Sequence, residues 1–189
     1  PNQLGERRKV VEADVPADSI YMAFKMSSRT APEYYPQDLI TDVLANGPSS
    51  RLVSNLVQVD ASFISVDAYV YGTSEPGLLI VEGQPAEGVD LRDAEAMLWE
   101  QLEWVKNDVV PEEELNSQLN KVRTNLILSE TSALGKTMSL AYYELLNDID
   151  LINTENDKYD QVSQQDILQQ AKIVLDKDNA SVLWYKSKS

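Results

Sequence analysis

Apolar residues recur at every third or fourth position in residues 38–64, and this spacing predicts two helices on either side of a sharp turn. Gly47 suits the left-handed position that ends a helix, and Pro48 cannot continue one. Ser49 or Ser50 is predicted to cap the second helix through its hydroxyl group. The apolar faces of the two helices consist of Leu39, Ile40, Val43 and Leu44, and of Leu52, Val53 and Leu56.

Five strands are predicted, at residues 8–15, 18–27, about 62–71, 78–82 and 180–186, and in the second and third of them successive side chains fall on two different faces. The third strand is expected to place Ile64, Val66, Ala68 and Val70 on its apolar face and Phe63 on the other. Residues 73–77 are expected to form the turn of a hairpin, because they contain proline followed by glycine.

The second half of the chain is predicted to be mainly helical, with helices over about 90–106, from Pro111 onward, over about 132–146, and from Ser163 onward. Asp90 with Asp93, and Ser163 with Asp166, have the spacing of capping boxes. The acidic residues 147–160 are interpreted as a solvated loop between helices. Each predicted helix has an apolar stripe and no long exposed apolar run remains, so the chain is expected to fold cooperatively on its own.

The order of these elements is β-β-α-α-β-β-α-α-α-α-β. Hairpins without regular crossover helices indicate an α+β fold, with a largely antiparallel sheet and helices packed on one face. Residues 1–7 are interpreted as a linker remnant and residues 8–189 as a single domain.

Composition narrows the possible functions. The 189 residues carry a net charge of −15, from 31 acidic and 16 basic side chains, which disfavours binding to nucleic acids or anionic membranes. Apolar runs stay well below the roughly 20 residues that span a bilayer. The chain has neither cysteine nor histidine, which excludes thiol catalysis, a Ser-His-Asp triad and a histidine-based zinc site. These counts leave open whether the protein works in the periplasm or the cytoplasm.

Four features invite a chemical interpretation. Gly135-Lys136-Thr137 resembles the end of a phosphate loop, but Glu130 stands where that loop needs its first glycine. Residues 147–160 hold oxygen donors for calcium without the glycine of a calcium loop. Residues 112–114 are three glutamates in an exposed first helical turn, with a catalytic carboxylate as the alternative. Arg51 either contacts a partner or peptide, or ties helix ends together, and we favour the second.

The stretch GPSSRLVSNLV, residues 47–57, resembles the G-x-S-S-R-L segment of non-catalytic domains in the pitrilysin/insulinase family of zinc metallopeptidases, which includes mitochondrial processing peptidase. The resemblance continues through residues 68–77, 112–115 and 159–167. It implies an α+β domain with a ferredoxin-like flavour. It also implies partners: an upstream catalytic domain, a second homologous half or subunit, and the peptide substrate of the parent protein.

In that family two histidines and a distal glutamate bind zinc, and the glutamate of H-x-x-E-H activates water. Because those residues are absent here, no catalytic, cofactor-binding or metal-binding residue is assigned to this chain. Zinc is expected in the upstream domain of a parent metalloendopeptidase. The family's substrate-holding arginine and tyrosine fall at Val57 and Ile64, which have no side-chain donor. The resemblance therefore favours the zinc-bearing half. The alternatives are a proteolytically inactive assembly subunit of the same fold, or an unrelated α+β binding module.

Overall fold

A computed structural model describes residues 3–188, which form one five-stranded sheet with helices. The strands lie in the order β1-β5-β2-β4-β3, and β1 pairs with β5 in parallel while the other pairs are antiparallel. The predicted α+β fold with a largely antiparallel sheet is thus confirmed, with one parallel pair at an edge. The strands are β1 (Arg7–Ala13), β2 (Ser19–Lys25), β3 (Phe63–Tyr71), β4 (Leu78–Pro85) and β5 (Ala180–Ser187).

The helices lie near their predicted positions, and α5 and a short 3-10 turn are additional. They are α1 (Tyr34–Ala45), a π-helical segment (Val53–Val59), α2 (Leu91–Asn107), α3 (Glu112–Ser129), α4 (Ala133–Leu145), α5 (Leu151–Asp160), α6 (Gln164–Val174) and a 3-10 turn (Lys177–Asn179). The capping box of α6 is confirmed, because the Asp166 N–H donates to Ser163 Oγ at 3.2 Å and the Ser163 N–H donates to Asp166 Oδ2 at 2.9 Å. Asp90 caps α2, but it accepts from the N–H of Arg92 and not from that of Asp93.

One face of the sheet and the apolar sides of the helices form the main core. Ile20, Met22 and Phe24 of β2 are completely buried there, as are Leu79 and Val81 of β4. The helices that supply the facing side chains include α1, α2 and α6. Trp99 of α2 packs edge-on against Phe24 with ring centroids 5.8 Å apart, whereas Trp104 is only half-buried. The core thus lies between the helices and a single face of the sheet.

A β-bulge at the start of β3 reverses two predicted side-chain positions. The pairing with β4 shifts between Phe63 and Ser65, so Phe63 points into the core and Ile64 is exposed. The prediction from alternation was therefore wrong for both residues, because the extra residue of a bulge breaks the alternation between the side chains before it and those after it, while Val66 and Ala68 are buried as predicted. Gly83 on β4 makes room for the ring, since a Cβ there would lie 2.6 Å from Phe63 Cε1.

Residues 147–160, predicted to be a loop, contain helix α5. That prediction was wrong because it rested on the acidic composition of the segment, whereas the spacing of its buried residues is helical. Leu151, Glu155 and Tyr159 stand at i, i+4 and i+8 and are all buried. A helix whose buried face includes a glutamate has a weak apolar periodicity, and only a partner for that glutamate makes the burial acceptable.

Helix α4 contradicts the expectation that no long apolar run is exposed. Leu134, Met138, Tyr142 and Leu145 are all exposed along one side of α4. On the other side Tyr143 and Leu146 join Leu151 in a small core of their own. No helix in the described residues is long and apolar enough to cross a membrane.

Candidate functional site

The turn between α1 and the π-helical segment depends on Gly47. Its φ of 104° lies in the left-handed region, as the predicted glycine stop requires. Lys121 of α3 donates its Nζ to the carbonyl of Asn46 at 2.5 Å and so satisfies the end of α1. The predicted serine cap is wrong in its direction, because the Ser50 hydroxyl donates to the carbonyl of Gly47 at 2.6 Å.

Arg51 joins the ends of two helices, as the structural interpretation predicted. Its Nε and Nη2 atoms donate to the two carboxylate oxygens of Glu114 at 3.1 and 2.6 Å. Its guanidinium lies 3.1 Å from the centre of the Trp104 ring. Burial lowers the pKa of Arg51, against the opposing effect of Glu114. Glu114 is therefore occupied as an ion-pair partner, while Glu112 and Glu113 are exposed in the first turn of α3.

The two positions that correspond to the substrate-holding pair differ in their burial. Val57 is half-buried in the π-helical segment and packs against the core. Ile64 is exposed at the bulge of β3. Each side chain is purely aliphatic, so the only donors at these positions are backbone N–H groups.

The face of the sheet opposite the helices is open. The register places Tyr21 of β2 beside Glu82 of β4 and Leu183 of β5, and Tyr69 of β3 beside Ile80. Every side chain on this face is exposed or half-buried. The solvated face of an antiparallel sheet is usually polar, whereas this face also carries aromatic and aliphatic side chains. The open face consists of Arg7, Lys9, Val11, Ala13, Ser19, Tyr21, Ala23, Lys25, Ser65, Asp67, Tyr69, Tyr71, Leu78, Ile80, Glu82, Gln84, Ser181, Leu183, Tyr185 and Ser187.

A shallow cavity of about 270 Å³ lies on this open face beside the bulge, with Tyr21, Asp67 and Glu82 among its lining residues. The Tyr69 hydroxyl donates to Glu82 Oε2 at 3.2 Å. Slight burial, together with the negative charge of Glu82, raises the pKa of Tyr69. Hydroxyl and carboxylate groups therefore stand among apolar rings on a surface that a peptide chain could contact.

A buried ion pair that the sequence analysis missed fixes α5. Arg29, in the loop after β2, donates to Glu155 of α5, and both side chains are almost fully buried. The Arg29 guanidinium also lies 4.4 Å from the centre of the Tyr34 ring. Burial opposes the charge of Arg29, but Glu155 and the neighbouring tyrosines raise its pKa overall. The pair is sealed from solvent, so it positions α5 and is not accessible to a substrate. The spacing of Leu151, Glu155 and Tyr159 was the signal that could have revealed it.

Asp38 of α1 lies close to this pair. It accepts a hydrogen bond from the Tyr159 hydroxyl of α5. Burial raises the pKa of Asp38 to about 6, with the Tyr159 hydrogen bond acting in the opposite direction. Asp42 and Glu155 add to the upward shift, and Arg29 reduces it.

At the other end of the sheet, Glu95 of α2 gathers four donors. Arg8 of β1 donates to both carboxylate oxygens, at 2.6 and 2.7 Å. Trp184 of β5 and Trp99 of α2 donate their indole N–H groups at 2.6 and 3.2 Å. Burial opposes the ionised form, yet these hydrogen bonds lower the pKa of Glu95 overall. The carboxylate is fully satisfied, and it holds β1 and β5 against α2.

The residues considered above as possible nucleotide or metal ligands take part in helix capping and ion pairs. Gly135 lies in the first turn of α4, where its N–H donates to Ser132 Oγ at 2.9 Å. Among the oxygen donors of residues 147–160, Glu155 is paired with Arg29, and Asp148 Oδ2 lies 3.7 Å from Lys158 Nζ. Within residues 3–188, no group of three or more histidine, cysteine, aspartate or glutamate side chains is arranged to hold a metal ion.

Comparison with solved structures shows the same fold in several proteins. A protease from Helicobacter pylori has 17% sequence identity and a TM-score of 0.92, over 98% of this chain and 45% of that chain. The inactive peptidase domain of a zinc protease-like protein from Bordetella parapertussis has 20% identity and a TM-score of 0.83, over 93% of this chain and 95% of that one. A chain of Complex III2 from Candida albicans has 17% identity and a TM-score of 0.81, over 97% of this chain and 46% of that chain.

This chain thus spans less than half the length of the Helicobacter protease. Comparison with curated proteins gives no match. The family model described as the peptidase M16 inactive domain matches residues 1–122, which is more than half of the chain. This match confirms the resemblance of the G-x-S-S-R-L segment and its neighbours to non-catalytic domains of zinc peptidases. The chain therefore belongs to the peptidase M16 inactive domain family.

Proposed function

We propose that this chain is the non-catalytic domain of a larger zinc metallopeptidase, in which its open sheet face forms part of the wall of a peptide-enclosing chamber. The open face is the observation that carries this proposal. It holds four tyrosines, Tyr21, Tyr69, Tyr71 and Tyr185, in the described structure, and no core residue covers them. Tyrosines contact peptides well because they combine a large apolar ring with a hydroxyl group.

The chemistry would then be divided between domains. This chain lacks histidine and cysteine, so metal ligands must come from another domain if the parent is a zinc peptidase. Val57 and Ile64 lack the donors of the substrate-holding pair, so we assign this domain to the half whose upstream domain carries zinc. The facing half, or a partner subunit, would then supply the arginine and tyrosine. In a site that lies between two domains, one domain can supply the metal ligands and the other can supply the donors that bind the substrate backbone.

The sequence of the gene around this segment tests the division. We expect an upstream domain with H-x-x-E-H followed by a distal glutamate, and one zinc per parent chain. This chain expressed alone should retain no zinc after dialysis. An upstream domain without the zinc motif would contradict the proposal.

The wall function is tested in the parent protein by a matched pair of substitutions. Tyr71 on the open face and Ile173 on α6 are equally exposed, at 65% and 64%. Tyr71→Ser should raise KM for peptide substrates roughly threefold to tenfold, because it removes about 1 kcal/mol of contact. Ile173→Ser should leave KM unchanged. Equal KM values for both variants and the wild type would exclude the wall function without affecting family membership.

A second candidate is a proteolytically inactive assembly subunit of the same fold. The similarity of fold to a chain of Complex III2 from Candida albicans supports this candidate. The two candidates differ in the upstream zinc motif, which the assembly subunit would lack. Membership of the peptidase family rules out the third interpretation, an unrelated α+β binding module.

A further inference from the structure

The exposed side of α4 has the residue spacing of a helix–helix seam. Leu134, Met138, Ala141 and Leu145 follow one another at intervals of four, three and four residues. This is the a/d spacing of a two-helix coiled coil. The three large members are exposed to 73%, 64% and 75%, and Ala141 is exposed as well. A stripe this apolar on a surface helix is typical of an interface.

The stripe is separate from the surface that holds α4 in place. Tyr143 and Leu146 on the opposite side of α4 are buried against Leu151. Ser132 caps the first turn of α4. The helix is thus already anchored by one apolar face, and it presents a second one that nothing in residues 3–188 covers.

We propose that this stripe binds α4 of a second copy of the chain in a two-fold antiparallel pair. In an antiparallel seam, a positions of one helix meet d positions of the other. Here the same register places Leu134 opposite Leu145 and Met138 opposite Ala141. The large Met138 side chain meets a small residue in each half of the pair, so the seam packs without collision.

The charges beside the seam allow two copies to approach. Positions 135, 137, 142 and 144 flank it, and Glu144 is the only charged residue among them. In the antiparallel register Glu144 comes level with Gly135 of the other copy and lies nearest to Thr137 on the same side of the seam, so no like charges meet. The net charge of −15 per chain still repels the copies at long range. Added salt should therefore strengthen the pair, because it screens this repulsion.

The size of the seam sets the expected affinity. Helix α4 has 13 residues, so it is about 20 Å long and buries less surface than a standard interface. We expect a reversible dimer with a dissociation constant on the order of 10–100 µM. Sedimentation from about 5 to about 500 µM covers the transition between monomer and dimer.

Two variants of the isolated chain test the surface. Leu145→Gln should be monomeric throughout that range, whereas Ile173→Gln, at a comparably exposed apolar position on α6, should dimerise like the wild type. A wild-type chain that stays monomeric would overturn the proposal and would leave the stripe for another domain. Dimers that persist in Leu145→Gln, or that also disappear in Ile173→Gln, would overturn it too.

Cysteine cross-linking tests the relative orientation of the two α4 helices. The chain has no native cysteine, so only the introduced thiols can form disulfides. A mixture of Leu134→Cys and Leu145→Cys chains should form a mixed disulfide under mild oxidation. Each variant alone should cross-link poorly, because identical positions would be about 16 Å apart along the antiparallel pair and a disulfide needs Cα atoms within about 7 Å. Efficient Leu134→Cys homodimers would show parallel pairing and contradict the proposed arrangement.

Discussion

Asp38 links two helices through one carboxyl group. The Tyr159 hydroxyl of α5 donates to Asp38 of α1, while the neighbouring Arg29–Glu155 pair holds α5 to the loop after β2. Burial raises the pKa of Asp38 to about 6 from an ordinary value of 3.8. A carboxyl group with a raised pKa binds its proton more tightly in the folded state than in the unfolded state. Its ionisation therefore costs stability.

The stability of the chain should depend on pH through Asp38. As pH rises from about 4 to about 6, the folded state loses the proton it had bound preferentially, so the free energy of unfolding falls across this window. Asp38→Asn keeps an oxygen that accepts from Tyr159 but removes the charge. We expect this variant to be more stable than the wild type at pH 7, by up to about 3 kcal/mol, with the difference shrinking below pH 5. Urea unfolding at several pH values measures it.

Asp157→Asn, at an exposed position on α5, is the matched control. It should follow the wild-type pH dependence. A constant difference between Asp38→Asn and the wild type from pH 4 to pH 7 would show that Asp38 does not titrate in this window.

Among the secondary-structure elements, the helix–turn–helix of residues 34–59 depends most on a single backbone conformation. Gly47 has a φ of 104°, and a Cβ added there would lie 3.3 Å from Lys121 Nζ. That lysine donates to the carbonyl of Asn46, so a side chain at Gly47 would disturb the cap as well as strain the backbone.

Gly47→Val should lower the free energy of unfolding by on the order of 1–2 kcal/mol or more, because a branched side chain resists positive φ. Ser49→Val places the same side chain at an exposed position two residues later and should change stability much less. Thermal unfolding of the two variants beside the wild type measures the effect. An unchanged melting temperature for Gly47→Val would exclude the strained turn.

Across the chain as a whole, stability is distributed unevenly. The main core joins the covered sheet face to α1, α2 and α6, whereas α4 rests on a small separate core around Tyr143, Leu146 and Leu151. Local opening costs least where few apolar side chains are buried.

We therefore predict that the isolated chain folds cooperatively but opens first at α4. In native-state hydrogen exchange, amides in α4 should exchange through an opening of lower free energy than amides in α1 and β2. Protection in α4 equal to that of β2 would show a single cooperative unit. Because dimerisation through α4 would also protect it, the exchange is measured on the monomeric Leu145→Gln variant.

Local patterns in the sequence determined much of this architecture. Local sequence patterns located all five strands, helical spacing located α1, α2, α3 and α6, and the Ser163–Asp166 box marked the start of α6. The lack of histidine and cysteine ruled out a histidine-based zinc site within the chain. Such features are local: each follows from the preferences of a few neighbouring residues, so no knowledge of distant contacts is needed.

Only the tertiary structure decided the remaining features, because each depends on contacts between separate helices, strands or loops. Phe63 turns inward because Gly83, on the neighbouring strand, leaves space for its ring. Glu155 is buried in α5 because Arg29, 126 residues earlier, neutralises it. The stripe of α4 is exposed because Tyr143 and Leu146, on the other side of that helix, pack against Leu151 at the start of α5. Periodicity reveals that a face is apolar, but only the distant packing decides whether that face is buried within the chain or left open to another molecule.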